Sequence, residues 1–305
     1  MPPTVEFAGP HRESEQIQNG LVTAVLSIQS LVSYGHVGNS AVLFPLMRLG
    51  VEVWPVVTVH FSNHTGYPTW RGPLLSGADI GDIVRGLDER GVLSRCDAVL
   101  SGYQGAPDVA AAILDAVALV KERNPAALYC CDPVLGDTGR GTFVRPEIPE
   151  LMRERVIPAA DIATPNQYEL GLLTGRATSR LGEVVAAAEA LRGTGPDIVL
   201  VTSVHHDAAP PDTIDMVAVG VGGAWSVTTP ALPRTFQGAG DLAAALFLVH
   251  QLDTGDLAAA LVRTAGVVFS VLAATAAAGA SELELVAAQE ELVSPTHQFS
   301  ARRLR

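Results

Sequence analysis

The sequence predicts an α/β protein with a mainly parallel central sheet and helices on both faces. Three observations lead there. Short β-branched runs alternate with amphipathic helical stretches along most of the chain, the pattern of βαβ crossovers. The 305 residues are 48% hydrophobic, enough for a sizeable core. No repeat of 20–50 residues and no long linker divides the chain, so residues 21–305 are expected to form a single domain behind a polar, loose N-terminal tail over 1–20.

Leu21–Gln29 is the first expected strand, and His36–Leu49 a helix that Gly50 ends. Val51–His60 is a strand whose Pro55 suits an edge or a bulge. Asp79–Arg90 is helical and stops at Gly91, and Ala98–Ser101 is a short apolar strand. Pro107–Arg123 is a helix with proline where its missing N–H costs nothing. Ala127–Asp132 and Asp161–Thr164 are strands around a helix at Ile148–Val156. Helices Gln167–Thr174 and Leu181–Arg192 lead to a strand at Ile198–Thr202. The alternation then breaks: Asp215–Val221 and Ala224–Thr229, joined by Gly222-Gly223, suit a β-hairpin. Helices Ala239–Leu252, Leu257–Ala278 and Leu283–Leu292 close the chain.

Composition excludes several functions. A formal charge of −12 leaves no basic face for nucleic acid or an anionic membrane. The 20 basic residues are nineteen arginines and Lys121, which follows Leu119-Val120 rather than a glycine loop, so there is no P-loop. Cys96, Cys130 and Cys131 form neither a disulfide framework nor a zinc pattern, and the adjacent pair suits packed thiols. No basic region followed by an apolar stretch opens the chain, and a reducing cytoplasm is the expected setting. Thr264–Ser281 carries no charge, but its alanine-rich composition suits a soluble helix.

Ligands of parallel sheets lie beyond the carboxyl ends of the strands, and those ends are rich in hydrogen-bonding groups. They carry Ser30, then His60-Phe61-Ser62-Asn63-His64-Thr65-Gly66-Tyr67, then Ser101-Gly102-Tyr103. Next come Asp132-Pro133-Val134-Leu135-Gly136-Asp137, Thr164-Pro165-Asn166-Gln167-Tyr168-Glu169 and Thr202-Ser203. Gly238-Ala239-Gly240-Asp241 opens an apolar helix. Its glycines allow close approach, and its unpaired amides form an anion site that needs no lysine. Asp241 beside that site could take a proton from an attacking hydroxyl. Taken alone, the same residues also suit an ordinary helix start. Asp132, Asp137, Glu169 and Asn166 are oxygen donors suited to Mg²⁺ held partly through water, and the glycine-rich stretch 136–141 suits a lid. His205-His206-Asp207 is read as a solvent loop, since adjacent imidazoles point apart.

Together these motifs resemble pyridoxal kinases of the ribokinase superfamily, from about Leu21 to Ser300. The glycine–aspartate signature is shared across the superfamily, and the Phe-Ser-Asn-His-Thr-Gly-Tyr stretch is specific to the pyridoxal branch. The resemblance implies a ribokinase-like fold and phosphorylation of the pyridoxal 5′-hydroxyl by ATP with Mg²⁺, often with K⁺ nearby, in a homodimer. It implies Asp241 as general base and Gly238, Ala239 and Gly240 as the phosphate cradle. Ser30 and Thr65 would contact pyridoxal, and Tyr103 would pack on its ring. Asp132 and Glu169 would serve the metal and nucleotide phosphates, with Thr164, Asn166, Thr202 and Ser203 on the nucleotide. Phe143 and Asp137 would belong to the lid.

The residue chemistry agrees. A flat heteroaromatic ring with polar edges calls for aromatic walls, here Tyr103, Phe61 and Trp70, and for edge donors, here Ser30, His64 and Thr65. Two other readings stay open: a hydroxymethylpyrimidine kinase, and a carrier that binds pyridoxal without turnover.

Overall fold

The computed structural model describes residues 22–305. The expected tail over 1–20, and Leu21, lie outside the described residues. Strands β1 (Ala24–Val32), β2 (Glu52–Phe61), β3 (Ala98–Ser101) and β4 (Leu128–Cys131) precede a small hairpin of β5 (Gly136–Asp137) and β6 (Gly141–Thr142). Then follow β7 (Ile162–Ala163), β8 (Ile198–Val204), β9 (Thr213–Gly220), β10 (Gly223–Pro230) and β11 (Arg302–Arg303). Nine of them form one sheet in the order β11-β10-β9-β8-β7-β4-β3-β1-β2. Pairing from β2 through β8 is parallel, and β9, β10 and β11 add antiparallel strands. The strand with Pro55 is the sheet's edge, where its missing donor breaks no outer ladder.

Helices α1 (Asn39–Arg48), α2 (Gly77–Glu89) and α3 (Pro107–Arg123) are followed by α4 (Ile148–Leu151) and α5 (Ile157–Ala159), which a π-helical turn at Met152–Val156 joins. Next come α6 (Gln167–Thr174), α7 (Leu181–Arg192), α8 (Ala239–Thr254), α9 (Leu257–Ala277) and α10 (Gln289–Val293). Period-two alternation sends Leu26 and Ile28 of β1 into the core under α2, α3 and α7, and Val25 into the core under α1, α8 and α9. Helix α9 is long and apolar enough to cross a membrane, yet its Leu261, Ala265 and Val271 are fully buried against α8 and the sheet.

The expected helix Leu283–Leu292 is shorter in fact. Leu283 and Leu285 drop into a cluster with Leu242, Leu246 and Val271, and the Glu284 amide donates to Thr275 Oγ1 at 3.0 Å. Only Gln289–Val293 remains helical. Strands β5, β6 and β11 were not expected from the pattern, because two residues carry no readable period.

Strand β2 lies on one side of β1 and β3 on the other, so the chain reverses its winding at β1. Crevices open at the carboxyl ends of strands around such a point, and there the sequence concentrates its polar residues.

Candidate active site

A cavity of about 720 Å³ opens between the ends of β4, β7 and β8, the β5–β6 hairpin and the start of α8. Asp132, Asp137, Phe143, Thr164, Asn166 and Glu169 line it, as do Thr202, Ser203 and the run Gly238–Asp241. Twelve predicted residues, drawn from positions 132 to 241 of the chain, thus share one wall.

Gly238 takes the left-handed conformation at φ 81°, and a Cβ there would stand 1.8 Å from the His36 carbonyl oxygen. Only glycine fits so close a crossing. No side chain caps α8, so the amides of its first turn stand at the cavity with the helix's positive end behind them. Burial pushes the Asp241 carboxyl up to about 6, against hydrogen bonds from the backbone amides of Gly38 and Asp241 itself.

Two further carboxylates stand close by. Asp132 is 6% exposed, and burial, then the charges of Glu169 and Asp241, hold its carboxyl well above the usual carboxylate range. Burial raises Glu169 to about 7 although three backbone amides oppose it. Glu169 Oε1 accepts from the amides of Leu135 at 2.7 Å and Gly136 at 3.3 Å, and Oε2 accepts from Asn166 at 2.9 Å. Asn166 Oδ1 in turn accepts from the Glu169 amide at 2.9 Å, closing a capping box on α6. Glu169, expected at the metal, therefore spends most of its lone pairs holding loops, and Asp132 is the freer oxygen donor. The backbone is strained at two places on the cavity wall: Val134, β-branched, sits at φ 48° in the loop after β4, and Ser203 of β8 at φ 55°. Such backbone costs about 1–3 kcal/mol per residue and persists where surroundings enforce it. Thr164 Oγ1 is buried at the cavity without a partner.

Asp137 holds the hairpin tip, its Oδ1 accepting from the amides of Gly139 at 2.9 Å and Arg140 at 2.8 Å. The Arg140 guanidinium lies 5.6 Å from the Phe143 ring.

Ser30, His64, Thr65 and Tyr103 lie on neighbouring strand ends outside this cavity's lining. Of these, Ser30 is tied to it through Gly38, where a Cβ would fall on Ser30 and whose amide holds the Asp241 carboxylate. Ser30 sits where the β1–β2 register slips, and Thr65 is exposed. Tyr103 is half-buried, and burial raises its hydroxyl. His64 does not act as a free edge donor in this geometry. Its Nδ1 accepts the Gly66 amide at 3.1 Å, so the proton resides on Nε2, which donates to Glu282 Oε1 at 3.0 Å. Phe61 also departs from expectation, packing with Val32, Val59 and Val37 instead of walling a cleft. Trp70 projects into solvent. The aromatic surface is supplied by Tyr34 and Tyr67, whose ring centroids are 6.2 Å apart.

Sequence reasoning missed Glu282, which nothing marks in its stretch Ser281–Leu285. It also missed the apolar end of the cavity, where Met216 of β9 meets Phe269 and Leu272 of α9, residues that read as ordinary core. In the expected solvent loop at 205–207, His205 and Asp207 are exposed, but the reading is corrected at His206, whose side chain is 7% exposed with Nε2 at 3.2 Å from Asp215 Oδ2. A buried carboxylate on β9 draws that imidazole inward.

Comparison with known proteins decides the family. A family model described as phosphomethylpyrimidine kinase matches residues 98–285. The pyridoxal kinase PdxY of Rubrobacter xylanophilus is 56% identical over 281 residues, covering 92% of this chain and 97% of that protein. The chain belongs to the pyridoxal kinase family. The PdxY of Leifsonia xyli subsp. xyli agrees, at 52% identity over 92% of this chain and 99% of its own. The pyridoxal kinase of Leishmania donovani, solved with ADP and pyridoxamine, superposes with a TM-score of 0.85 at 29% identity, covering 93% of this chain and 100% of that one. The ribokinase-like fold follows for this pyridoxal kinase family member, and with it an enzyme that phosphorylates with ATP.

Proposed function

We propose that this enzyme moves the γ-phosphoryl group of ATP to the 5′-hydroxyl of pyridoxal, and of related vitamers, to give pyridoxal 5′-phosphate. One observation carries the reading: Asp241, with its carboxyl raised to about 6, stands at the uncapped start of α8 on the wall of a cavity large enough for a nucleotide. A base whose affinity for protons lies just below neutral is ionised at pH 7 and still accepts a proton readily.

The residues divide the work. The apolar end formed by Met216, Phe269 and Leu272 suits the base of ATP. Thr164, Asn166, Thr202 and Ser203 offer hydroxyls and an amide along the cavity wall, and the unpartnered Thr164 Oγ1 suits a ligand oxygen there. Gly238, Ala239 and Gly240 bring backbone amides to the migrating phosphoryl group, and the work is positioning and charge neutralisation. Asp241 takes the hydroxyl proton as the new P–O bond forms. Ser30, Thr65 and Tyr103 suit the vitamer, while His64 acts by shaping its own loop.

Mg²⁺ fits the donor set. The charges of Glu169 and Asp241 bear on Asp132, which has the freest carboxylate; among the described residues no three such groups could hold a metal by themselves, so nucleotide phosphates and water would supply the other ligands. The ion would supply charge neutralisation for the nucleotide phosphates. K⁺ beside it, a homodimer and a cytoplasmic setting complete the proposal.

A second reading is favoured by the family model's description, since hydroxymethylpyrimidine is also a flat ring with a hydroxymethyl group. ADP formation with pyridoxal, pyridoxine, pyridoxamine and hydroxymethylpyrimidine, measured side by side, separates the two. Preference for pyridoxal supports the proposal, preference for the pyrimidine replaces it, and pyridoxal binding without ADP formation marks a carrier.

A further inference from the structure

The cavity is short of positive charge. Five carboxylates line it, at positions 132, 137, 169, 215 and 241, against two guanidinium groups, Arg140 and Arg234. Arg234 is already engaged: it donates to the carbonyls of Thr275 and Ala280 and lies over the Phe236 ring. Arg140 is placed differently. It projects from the β5–β6 hairpin, is exposed, and among the described residues has no carboxylate within ion-pair reach. Its Nη1 donates to Gln237 Oε1 at 3.4 Å, at the residue that leads into Gly238. Its Nη2 is 3.9 Å from where a Cβ on Gly66 would stand, in the loop that carries His64 and Thr65. The guanidinium therefore reaches from the Gln237 side chain, just ahead of the proposed phosphate loop, to the loop proposed for the vitamer.

We infer that Arg140 is a further catalytic residue, delivered by the hairpin onto the migrating phosphoryl group. The inference rests on the kinase reading above. In the transfer, the acceptor oxygen forms the new bond to phosphorus and the bond to the β-phosphate bridging oxygen breaks. ADP leaves with that electron pair, and the hydroxyl proton goes to Asp241. Negative charge spreads over the equatorial oxygens and the leaving group as this happens, and a planar cation with several donors is matched to it. The chain has no lysine near the site to do this: its one lysine, Lys121, is paired with Asp161. Phe143, stacked under the guanidinium, and Asp137, which holds the hairpin tip, keep the side chain aimed.

The test compares wild type with Arg140→Ala, Arg140→Gln and Arg140→Lys, measuring kcat and KM for both substrates and ADP affinity by calorimetry. Arg140→Ala is expected to lower kcat about a hundredfold or more with ADP affinity within threefold of wild type. Guanidinium chloride at low millimolar concentration should restore part of that kcat, and Arg140→Lys should recover less than a tenth of it. A kcat within threefold of wild type overturns the inference, as does a loss that appears only as weaker ADP binding. Should wild type phosphorylate the pyrimidine alcohol instead of pyridoxal, the substrate reading fails, and the same comparison made with that alcohol still tests Arg140.

Discussion

His64 and Glu282, 218 residues apart in the chain, meet at 3.0 Å. The same Glu282 oxygen accepts the Tyr67 hydroxyl at 2.7 Å, and its other oxygen accepts the His36 amide at 3.2 Å. One carboxylate thus ties the loop after β1, the loop after β2 and the segment after α9. His36 in turn presses its carbonyl against Gly238, and Leu283 packs there too. The loops proposed for the vitamer and for the phosphate are held in one frame. Glu282→Ala should raise KM for pyridoxal about tenfold while the ATP KM stays within twofold. Glu282→Gln should fall between, since it keeps an acceptor for Tyr67 but sets a donor against the His36 amide. Steady-state kinetics with each substrate varied checks both, and an unchanged pyridoxal KM in Glu282→Ala would break the link.

Gly238→Ala should be far costlier than its size suggests. The backbone there is left-handed, which alone costs a non-glycine residue about 1–3 kcal/mol. The added methyl would also fall on the His36 carbonyl. Loss of measurable activity together with a lowered Tm is expected. A well-folded, active variant would show that the loop can move aside.

The carboxylate cluster makes stability and activity respond to pH in opposite directions. Asp132, Glu169 and Asp241 bind protons more tightly folded than unfolded, so the folded state holds more protons between the ordinary carboxylate range and about pH 7. These groups therefore stabilise the fold below that range and lose their contribution as pH rises toward 7. Thermal melts should show Tm contributed by this cluster falling from pH 4.5 to 7.5, with Mg²⁺ and ADP recovering stability at the upper end. If Asp241 is the base, turnover needs it ionised, and kcat/KM should fall as pH drops below about 6. A flat profile from pH 5 to 8 would remove the raised carboxyl from the rate.

Lys121→Arg should leave activity within twofold of wild type. The ammonium pairs with Asp161 at 2.7 Å just ahead of β7, at the amino ends of the strands and away from their carboxyl ends. Lys121→Ala should cost no more than about 1 kcal/mol, as half-exposed pairs do. Urea melts and ADP-release assays check the two statements.

Much of the fold was legible because period and punctuation agree with it. Pro107 opens α3, the pattern places its end at Arg123, and Gly91 closes α2 in the left-handed conformation at φ 71°. The cavity wall was legible for a related reason: Asp132 follows β4, and Glu169 and Asp241 stand in the first turns of α6 and α8, at element ends that the pattern marks. What was hidden depends on folding distant pieces together. Glu282 looks like any solvent carboxylate until the loops at 36 and 64 fold over it. Phe61 could face either side of its strand, and the small cluster with Val32 and Val59 decides. His206 looks like loop until Asp215 of β9 is placed beneath it.

Asp241 is proposed as the group that deprotonates the vitamer. The decisive measurement is transfer of labelled γ-phosphate from ATP to pyridoxal in a single turnover, by wild type and by Asp241→Asn, with ADP affinity measured on the same preparations. Labelled pyridoxal 5′-phosphate is expected from wild type, a rate at least a thousandfold lower from the variant, and equal ADP affinity. Transfer by Asp241→Asn at a rate within tenfold of wild type would contradict the proposal.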